Sequence, residues 1–229
     1  MTIEDEYRAR YEKVLLPLSA SLSALLTEHL SGHKRIDRIS SRAKSVDRFV
    51  AKAGKMTDRS VPKYEYPLDQ IQDQIGARVT VFYKSDVESV REVLMRYLRP
   101  VESRDLVPAS EWEFGYFGWH SVCLFPAELI VPDWPKELVP NFFEIQVKTL
   151  FQHAWSEANH DLGYKPEGGG LTSDQNRLLA FASAQAWGAD RAFDELFNEL
   201  HGLPFNTCGE HAAGTGFDAT EGCRVQLSG

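Results

Sequence analysis

The segment FFEIQVKT at residues 142–149 has the pattern most suited to chemistry in this sequence. Apolar and polar residues alternate along it, which predicts a β-strand with two unlike faces: Phe143, Ile145 and Val147 on one, Glu144, Gln146 and Lys148 on the other. Burying a carboxylate, an amide and a cation without partners is unfavourable, so the polar face is expected to meet water, partner charges or a ligand. An edge strand with ordinary surface residues would account for the same pattern.

Positive charge is concentrated between residues 34 and 63. This stretch holds ten basic residues against three acidic ones, whereas the whole chain has a formal net charge of −8. A local excess of cations inside an acidic protein suits a compact polyanion such as a nucleotide triphosphate, although a solvated surface would have the same composition. The overall negative charge argues against a general nucleic-acid binder.

The elements that must position these residues can be outlined from hydrophobic periodicity. Helices are predicted at about 3–30, 35–53, 86–98, 150–162 and 173–201, and the basic side chains of the second would share one of its faces. Strands are predicted at 76–83, near 100–106, at 120–125 and at 142–149. The expected fold class is α+β, with a mixed β-sheet of about five strands flanked by helices.

The chain is expected to form one domain over residues 1–205, with an N-terminal helical segment, followed by a flexible tail at 206–229. The tail is rich in glycine and lacks periodicity. No apolar run approaches the roughly 20 residues needed to span a bilayer, and the charged N-terminus does not resemble a signal peptide. Three widely spaced cysteines form neither a metal knuckle nor a disulfide framework, so a cytoplasmic protein without a membrane partner is expected.

Four short motifs occur in an order typical of one family. They are RAKS at 42–45 with Lys52 eight residues after Lys44, DQIGARV at 73–79, GYFGWH at 115–120, and EIQVKTLFQHAWSEANHDLGYK at 144–165. Together they resemble the motifs of RelA/SpoT-type alarmone synthetase domains, and the final helix extends the similarity to about residue 200. The resemblance implies a nucleotidyltransferase-like synthetase fold in a small single-domain protein.

The resemblance also implies a reaction: transfer of the β,γ-pyrophosphate of ATP to the 3′-hydroxyl of GDP or GTP, giving (p)ppGpp, the alarmone of the stringent response. Asp73 and Glu144 match the family's catalytic acidic pair, and two carboxylates from separate elements suit Mg²⁺. The matched donor-nucleotide residues are Arg42, Lys44, Ser45, Lys52 and Arg78. The matched acceptor residues are Tyr116, His120, Gln146, Lys148 and Lys165.

The sequence departs from the family pattern mainly on the acceptor side. Lys148 stands where the family usually has arginine, and the stretch before Tyr116 carries Glu111 and Glu113 where many members carry lysines. Because acidic residues disfavour a highly charged acceptor, an adenine nucleotide or the 3′ end of a tRNA stays open as the acceptor. A non-catalytic nucleotide-sensing module is a further alternative, and a homo-oligomer is compatible with the resemblance.

Overall fold

The computed structural model describes residues 2–106, 114, 118–163 and 171–202. The helices are α1 (Ile3–Arg10), α2 (Leu16–His29), α3 (Val46–Ala53), α4 (Pro67–Gln70), α5 (Lys84–Tyr97), α6 (Leu150–Gly163) and α7 (Ser173–His201). The strands are β1 (Ile36–Ala43), β2 (Ile75–Val81), β3 (Arg99–Leu106), β4 (Gly118–Leu124) and β5 (Phe142–Thr149). A π-helical turn, Tyr11–Leu15, joins α1 to α2, and a 3₁₀ turn, Gln72–Gln74, leads into β2.

The five strands form one mixed sheet in the order β1-β2-β5-β4-β3. The β2–β5 pair at its centre is parallel, and the other three pairs are antiparallel. This confirms the expected α+β class. Since side chains that are paired across strands lie on the same face, the register places residues from all five strands on each side of the sheet.

One face of the sheet forms the hydrophobic core. Its central side chains come from the apolar positions of β2 and β5, and helices α2 and α5 cover them. The fully buried apolar residues on these two strands are Ile75, Val79, Val81, Phe143, Ile145 and Val147. The alternation predicted for 142–149 is therefore confirmed, because its apolar side packs inward and Glu144 and Gln146 lie on the opposite face.

The helix predicted over residues 35–53 is wrong in its first half. Residues 36–43 form the edge strand β1, and only Val46–Ala53 is helical. The register between β1 and β2 shifts between Ile36 and Arg38, so one residue bulges and Ile36 and Ile39 both pack against the core. That spacing of three residues imitates the period of a helix, which explains the incorrect prediction.

The other predicted elements are confirmed. The N-terminal helical segment is interrupted by the π-helical turn, and the long final helix begins at a capping box on Thr172 and ends at Gly202 in the left-handed conformation. The tail predicted to be flexible, 206–229, lies outside the described residues. Within the described part of the chain, no helix is both long enough and apolar enough to cross a membrane.

Candidate active site

A polar cavity of about 320 Å³ lies at the edge of the sheet face that is opposite the core. Both members of the predicted acidic pair, Asp73 and Glu144, line it, together with the predicted donor residue Lys52 and acceptor residue His120. The complete lining is Lys52, Lys63, Tyr64, Gln70, Ile71, Gln72, Asp73, Glu102, Arg104, His120, Ser121, Val122 and Glu144. The cavity therefore joins residues that are far apart in sequence and differ in charge.

Asp73 lies between two lysines. Lys44 Nζ is 3.0 Å from Asp73 Oδ2, and Lys52 Nζ is 2.9 Å from Asp73 Oδ1. Burial alone would raise the pKa of the Asp73 carboxyl, but the two lysines outweigh it and hold that pKa below its ordinary value. Asp73 is therefore ionised at neutral pH, and both lysines are drawn to the cavity.

Local structure fixes the position of Lys44 and of helix α3 behind it. The Lys44 amide donates to the Gln74 carbonyl at 2.8 Å, and the Tyr7 hydroxyl donates to the Lys44 carbonyl at 2.8 Å. The Tyr7 ring stacks on Phe49 of α3 with 3.6 Å between centroids. Ser45 occupies the N-cap position of α3, directly after Lys44.

Glu144 is held by two neighbours on the same sheet face. His120 Nδ1 lies 2.8 Å from Glu144 Oε1, and Gln146 Nε2 donates to the same oxygen at 2.8 Å. Burial alone would raise the pKa of Glu144, but the bonds from His120 and Gln146 lower it below its ordinary value, against an opposing effect of the Asp73 charge. The two carboxylates are thus near enough to influence each other across the cavity.

Space beside Glu144 results from a glycine. Arg42 of β1 pairs in register with Gly76 of β2, which in turn pairs with Glu144. A β-carbon at Gly76 would meet no other atom within 4 Å. The basic side chain of Arg42 and the carboxylate of Glu144 therefore share one row of the sheet with open room between them.

A second row of the sheet contains charged groups beneath α6. Arg78 Nη1 lies 2.6 Å from Glu157 Oε1 and 2.9 Å from His153 Nδ1, so α6 covers the predicted donor residue. Within the described residues, Arg78 Nε and Gln146 Oε1 are both buried without a hydrogen-bond partner. Buried polar atoms without a hydrogen-bond partner are uncommon. Because Arg78 and Gln146 are paired in register, a ligand bound beside this row would supply hydrogen bonds to both atoms.

Lys148, a predicted acceptor residue, lies away from the cavity wall. Its side chain is only 2% exposed and lies beneath α6, with Nζ 3.3 Å from Ser156 Oγ. Burial, reinforced by the nearby Arg78 charge, lowers the pKa of Lys148 to about 7. Lys148 therefore does not line the described cavity. Two other predicted acceptor residues, Tyr116 and Lys165, lie outside the described residues.

Sequence reasoning missed several cavity residues. Lys63 and Tyr64 follow α3 in an irregular segment, while Glu102 and Arg104 come from β3 at the opposite edge of the sheet. Lys63 belongs to the basic stretch at residues 34–63, so its charge was a signal in the sequence that pointed to the site. Arg104 reaches the cavity because β3 pairs with β4 opposite His120, and only the strand order reveals this.

The donor set of the cavity fits a hard divalent cation. Within the described ranges, no group of three or more His, Cys, Asp or Glu side chains could enclose a metal ion. Two carboxylates face this cavity, and Mg²⁺ is commonly bound by one or two protein carboxylates while water and phosphate oxygens supply the remaining ligands. Lysines and arginines around them add the charge needed for a polyphosphate.

The described fold is α+β, and its cavity places two carboxylates beside several cations. The chain belongs to the RelA/SpoT family, because the family model described as the region found in RelA / SpoT proteins matches residues 41–169. That match contains every motif from Arg42 to Lys165 on which the resemblance depends.

Individual relatives agree with this assignment. The GTP pyrophosphokinase YjbM of Bacillus subtilis (strain 168) is 26% identical over 200 residues, which is 86% of this chain and 89% of the relative. The small alarmone synthetase 1 of Bacillus subtilis, solved with its product pppGpp, is 25% identical with a TM-score of 0.64 over 86% of this chain and 97% of its own. A GTP pyrophosphokinase family protein from Streptococcus pneumoniae is 22% identical with a TM-score of 0.66, over 88% of this chain and 97% of its own, and supports the fold alone.

Proposed function

We propose that this chain is an ATP-dependent GTP pyrophosphokinase that transfers the β,γ-pyrophosphate of ATP to the 3′-hydroxyl of GDP or GTP and makes (p)ppGpp. The observation that carries the proposal is the shared cavity of Asp73 and Glu144, with Lys44 and Lys52 paired to the first carboxylate. Family membership and the relative named GTP pyrophosphokinase support the activity. Solved structures of the Bacillus subtilis small alarmone synthetase 1 with pppGpp and with AMPCPP support nucleotide substrates.

The donor nucleotide is assigned to the basic side of the cavity. Lys44 and Lys52 project toward Asp73 from the end of β1 and from α3, and Arg42 shares the row of Glu144. Arginine suits this role because its planar guanidinium can stack on a base as well as bind phosphate. Ser45 and Arg78 complete the proposed donor set, which gathers four cations around a tetra-anionic ATP.

Asp73 and Glu144 would hold Mg²⁺, which supplies positive charge that neutralises the phosphate oxygens. Both carboxylates have pKa values below their ordinary ones, so both are ionised at neutral pH and available as ligands. A depressed pKa makes Glu144 a weak proton acceptor, which favours the ligand role over that of a general base. His120 and Gln146 hold the orientation of the Glu144 carboxylate through the two bonds to its Oε1.

The acceptor is assigned to the side of the cavity formed by β4 and β5. His120 and Gln146 lie there in one row with Arg104, which we add to the proposed acceptor residues. Tyr116, Lys148 and Lys165 are retained as proposed acceptor contacts on the basis of the family motifs. Base stacking on an aromatic ring such as Tyr116 contributes about 1–3 kcal/mol in other nucleotide complexes.

A second acceptor class is favoured by the acidic side chain that faces the cavity. Glu102 lies on β3 and is paired with Arg104 at 3.3 Å, so part of the positive charge on this side is already neutralised. An acceptor that brings fewer phosphates to this side of the cavity, such as an adenine nucleotide in its monophosphate form or the 3′ end of a tRNA, would then bind with less repulsion.

The reaction can be tested by incubating the purified chain with γ-labelled ATP, Mg²⁺ and one acceptor at a time. We expect label on GDP or GTP, and its loss in Asp73→Asn and Glu144→Gln. Asp133→Asn, a matched substitution at an exposed residue outside the cavity lining, should leave the rate unchanged.

Other outcomes of that experiment contradict parts of the proposal. Label found only on tRNA or on an adenine nucleotide would replace the guanine acceptor and keep the transferase. Absence of label on every acceptor, together with nucleotide binding that survives in the variants, would replace the enzyme with a nucleotide-sensing module.

A further inference from the structure

Arg10 is a buried charged residue at the end of helix α1, and its side chain is 3% exposed. Its two terminal nitrogens donate to three neutral oxygen atoms. Nη1 donates to the Leu68 carbonyl at 2.7 Å and to the Gln74 side-chain oxygen at 3.1 Å, and Nη2 donates to the Glu137 carbonyl at 2.6 Å. Burying a cation is unfavourable unless its donors find acceptors, so these three oxygens determine where the guanidinium lies.

The three acceptors belong to the segments that hold the two cavity carboxylates. Two of them flank Asp73, since Leu68 comes before it in α4 and Gln74 directly follows it. The third, Glu137, lies in a short 3₁₀ turn ahead of β5, the strand that carries Glu144. One guanidinium therefore joins the chain around the first carboxylate to the chain that leads to the second.

Gln74 is the link between Arg10 and Asp73. Its side chain is buried and donates to the Leu68 carbonyl at 2.7 Å, and its own carbonyl accepts the Lys44 amide at 2.8 Å. Asp73 has φ −94° and ψ 32°, which is outside the helical region, so regular 3₁₀ hydrogen bonding does not hold this turn by itself. The bonds to Gln74 therefore fix the backbone from which the Asp73 carboxylate enters the cavity.

We propose that Arg10 is a positioning residue for the two carboxylates and that it acts on Asp73 through Gln74. This role rests on the proposed function, in which Asp73 and Glu144 hold Mg²⁺ and ATP is the donor. Arg10 lies before residues 41–169, the region that the family model matches, so the role goes beyond the family assignment. Arginine suits it because a planar fork binds two segments at once, which the single nitrogen of a lysine cannot do.

Hydrogen–deuterium exchange of the full chain tests these contacts without any reaction. Arg10→Lys keeps the charge and removes the fork, so amides in residues 68–74 and 137–141 should exchange about tenfold faster than in wild type. Arg8→Lys is the matched control, because Arg8 is 51% exposed in the same helix, and exchange should not change there. Unchanged exchange in Arg10→Lys, or equal acceleration throughout the chain, would overturn the proposal.

Binding and rate measurements test whether the positioning matters to the site. Arg10→Lys should bind AMPCPP with Mg²⁺ about three- to tenfold more weakly in calorimetry, and should need a correspondingly higher Mg²⁺ concentration for half-maximal rate. A variant that loses stability but keeps both values would have lost a purely structural contact, against the proposal. A wild-type chain that transfers no label would refute the proposed function, while exchange and AMPCPP binding would still decide the role of Arg10.

Gln74→Met tests the route from Arg10 to Asp73, because it removes the side-chain acceptor and keeps the length of the side chain. Alone, it should weaken AMPCPP binding about as much as Arg10→Lys. The double variant should bind no more than about twofold more weakly than the weaker single variant, since both changes break the same contact. Circular dichroism melting checks that all three variants are folded. Effects that multiply fully in the double variant would refute the action through Gln74.

Discussion

Replacing Asp190 with asparagine should change how the stability of this protein depends on pH. Asp190 is 4% exposed where α7 packs on the end of β5, and its Oδ2 accepts a hydrogen bond from the Thr149 hydroxyl at 2.7 Å. Burial raises the pKa of Asp190 from 3.8 to about 6, although the Thr149 bond and the Lys84 charge oppose the rise. Asparagine keeps an acceptor for Thr149 and cannot ionise.

The size of the effect follows from this pKa. Because the folded state binds the proton more tightly than the unfolded chain, wild-type stability falls as the pH rises from about 4 to about 6 and stays lowered above that range. A difference of about two pKa units corresponds to about 3 kcal/mol, which is an upper limit for this residue. The substituted asparagine would also carry an amide nitrogen, whose burial can cost about 1–3 kcal/mol but does not depend on pH.

The assay is urea unfolding of both proteins at several pH values between 4 and 8. The free energy of unfolding of Asp190→Asn, minus that of wild type, should rise by roughly 2–3 kcal/mol across this range. This double difference cancels the fixed cost of the amide. Asp161→Asn, at an exposed carboxylate on α6, serves as the control. A difference that stays constant with pH would refute the assignment of a raised pKa to Asp190.

Three further predictions concern two cavity residues and the buried Lys148. Lys52→Met should lower kcat/KM for ATP by about 10- to 150-fold, since a charge-assisted contact contributes about 1.5–3 kcal/mol, and initial rates at varied ATP measure this decrease. The same substitution should raise the pKa of Asp73, because it removes one of the two neighbouring cations. His120→Asn should raise the pKa of Glu144, because it weakens the contact that lowers this pKa, so the acidic limb of the pH–rate profile should move to higher pH. An acidic limb that does not move would contradict the contact between His120 and Glu144. Lys148→Met should stabilise the fold most below pH 7. The lowered pKa of Lys148 makes the free energy of unfolding of the wild type rise with pH from about 7 to about 10, and methionine removes this dependence. Urea unfolding of both proteins at pH 6 and pH 10 tests whether the stability difference is larger at the lower pH.

Local patterns predicted most of the fold because they depend on side-chain period alone. The alternation in 142–149 and the leucine spacing in 3–30 correspond to β5 and to the N-terminal helical segment. The helix prediction failed at 36–43 because pairing between strands, and not the side-chain period, determines the conformation of that segment. There the bulge at Asp37 places Ile36 and Ile39 on one face of a strand, and pairing with β2 determines the conformation.

The candidate site was predictable where sequence motifs carried it. Asp73, Glu144 and Lys52 were identified from spacing and family resemblance, and the structure places all three on one cavity. Arg104 could not be identified, since it reaches the cavity only through the order of the strands. The burial of Lys148 was also unpredictable, because it depends on how α6 folds back over β5.

The sequence by itself determined the polar face of β5, the basic stretch and the family, and it indicated the proposed acidic pair. These features depend on residue types and short spacings, which can be read from the sequence without knowledge of the fold. Only the tertiary structure decided that Lys44 and Lys52 neutralise Asp73 and that His120 and Gln146 hold Glu144. Those contacts join residues from different strands and helices, so the register of the sheet and the packing of helices upon it determine them.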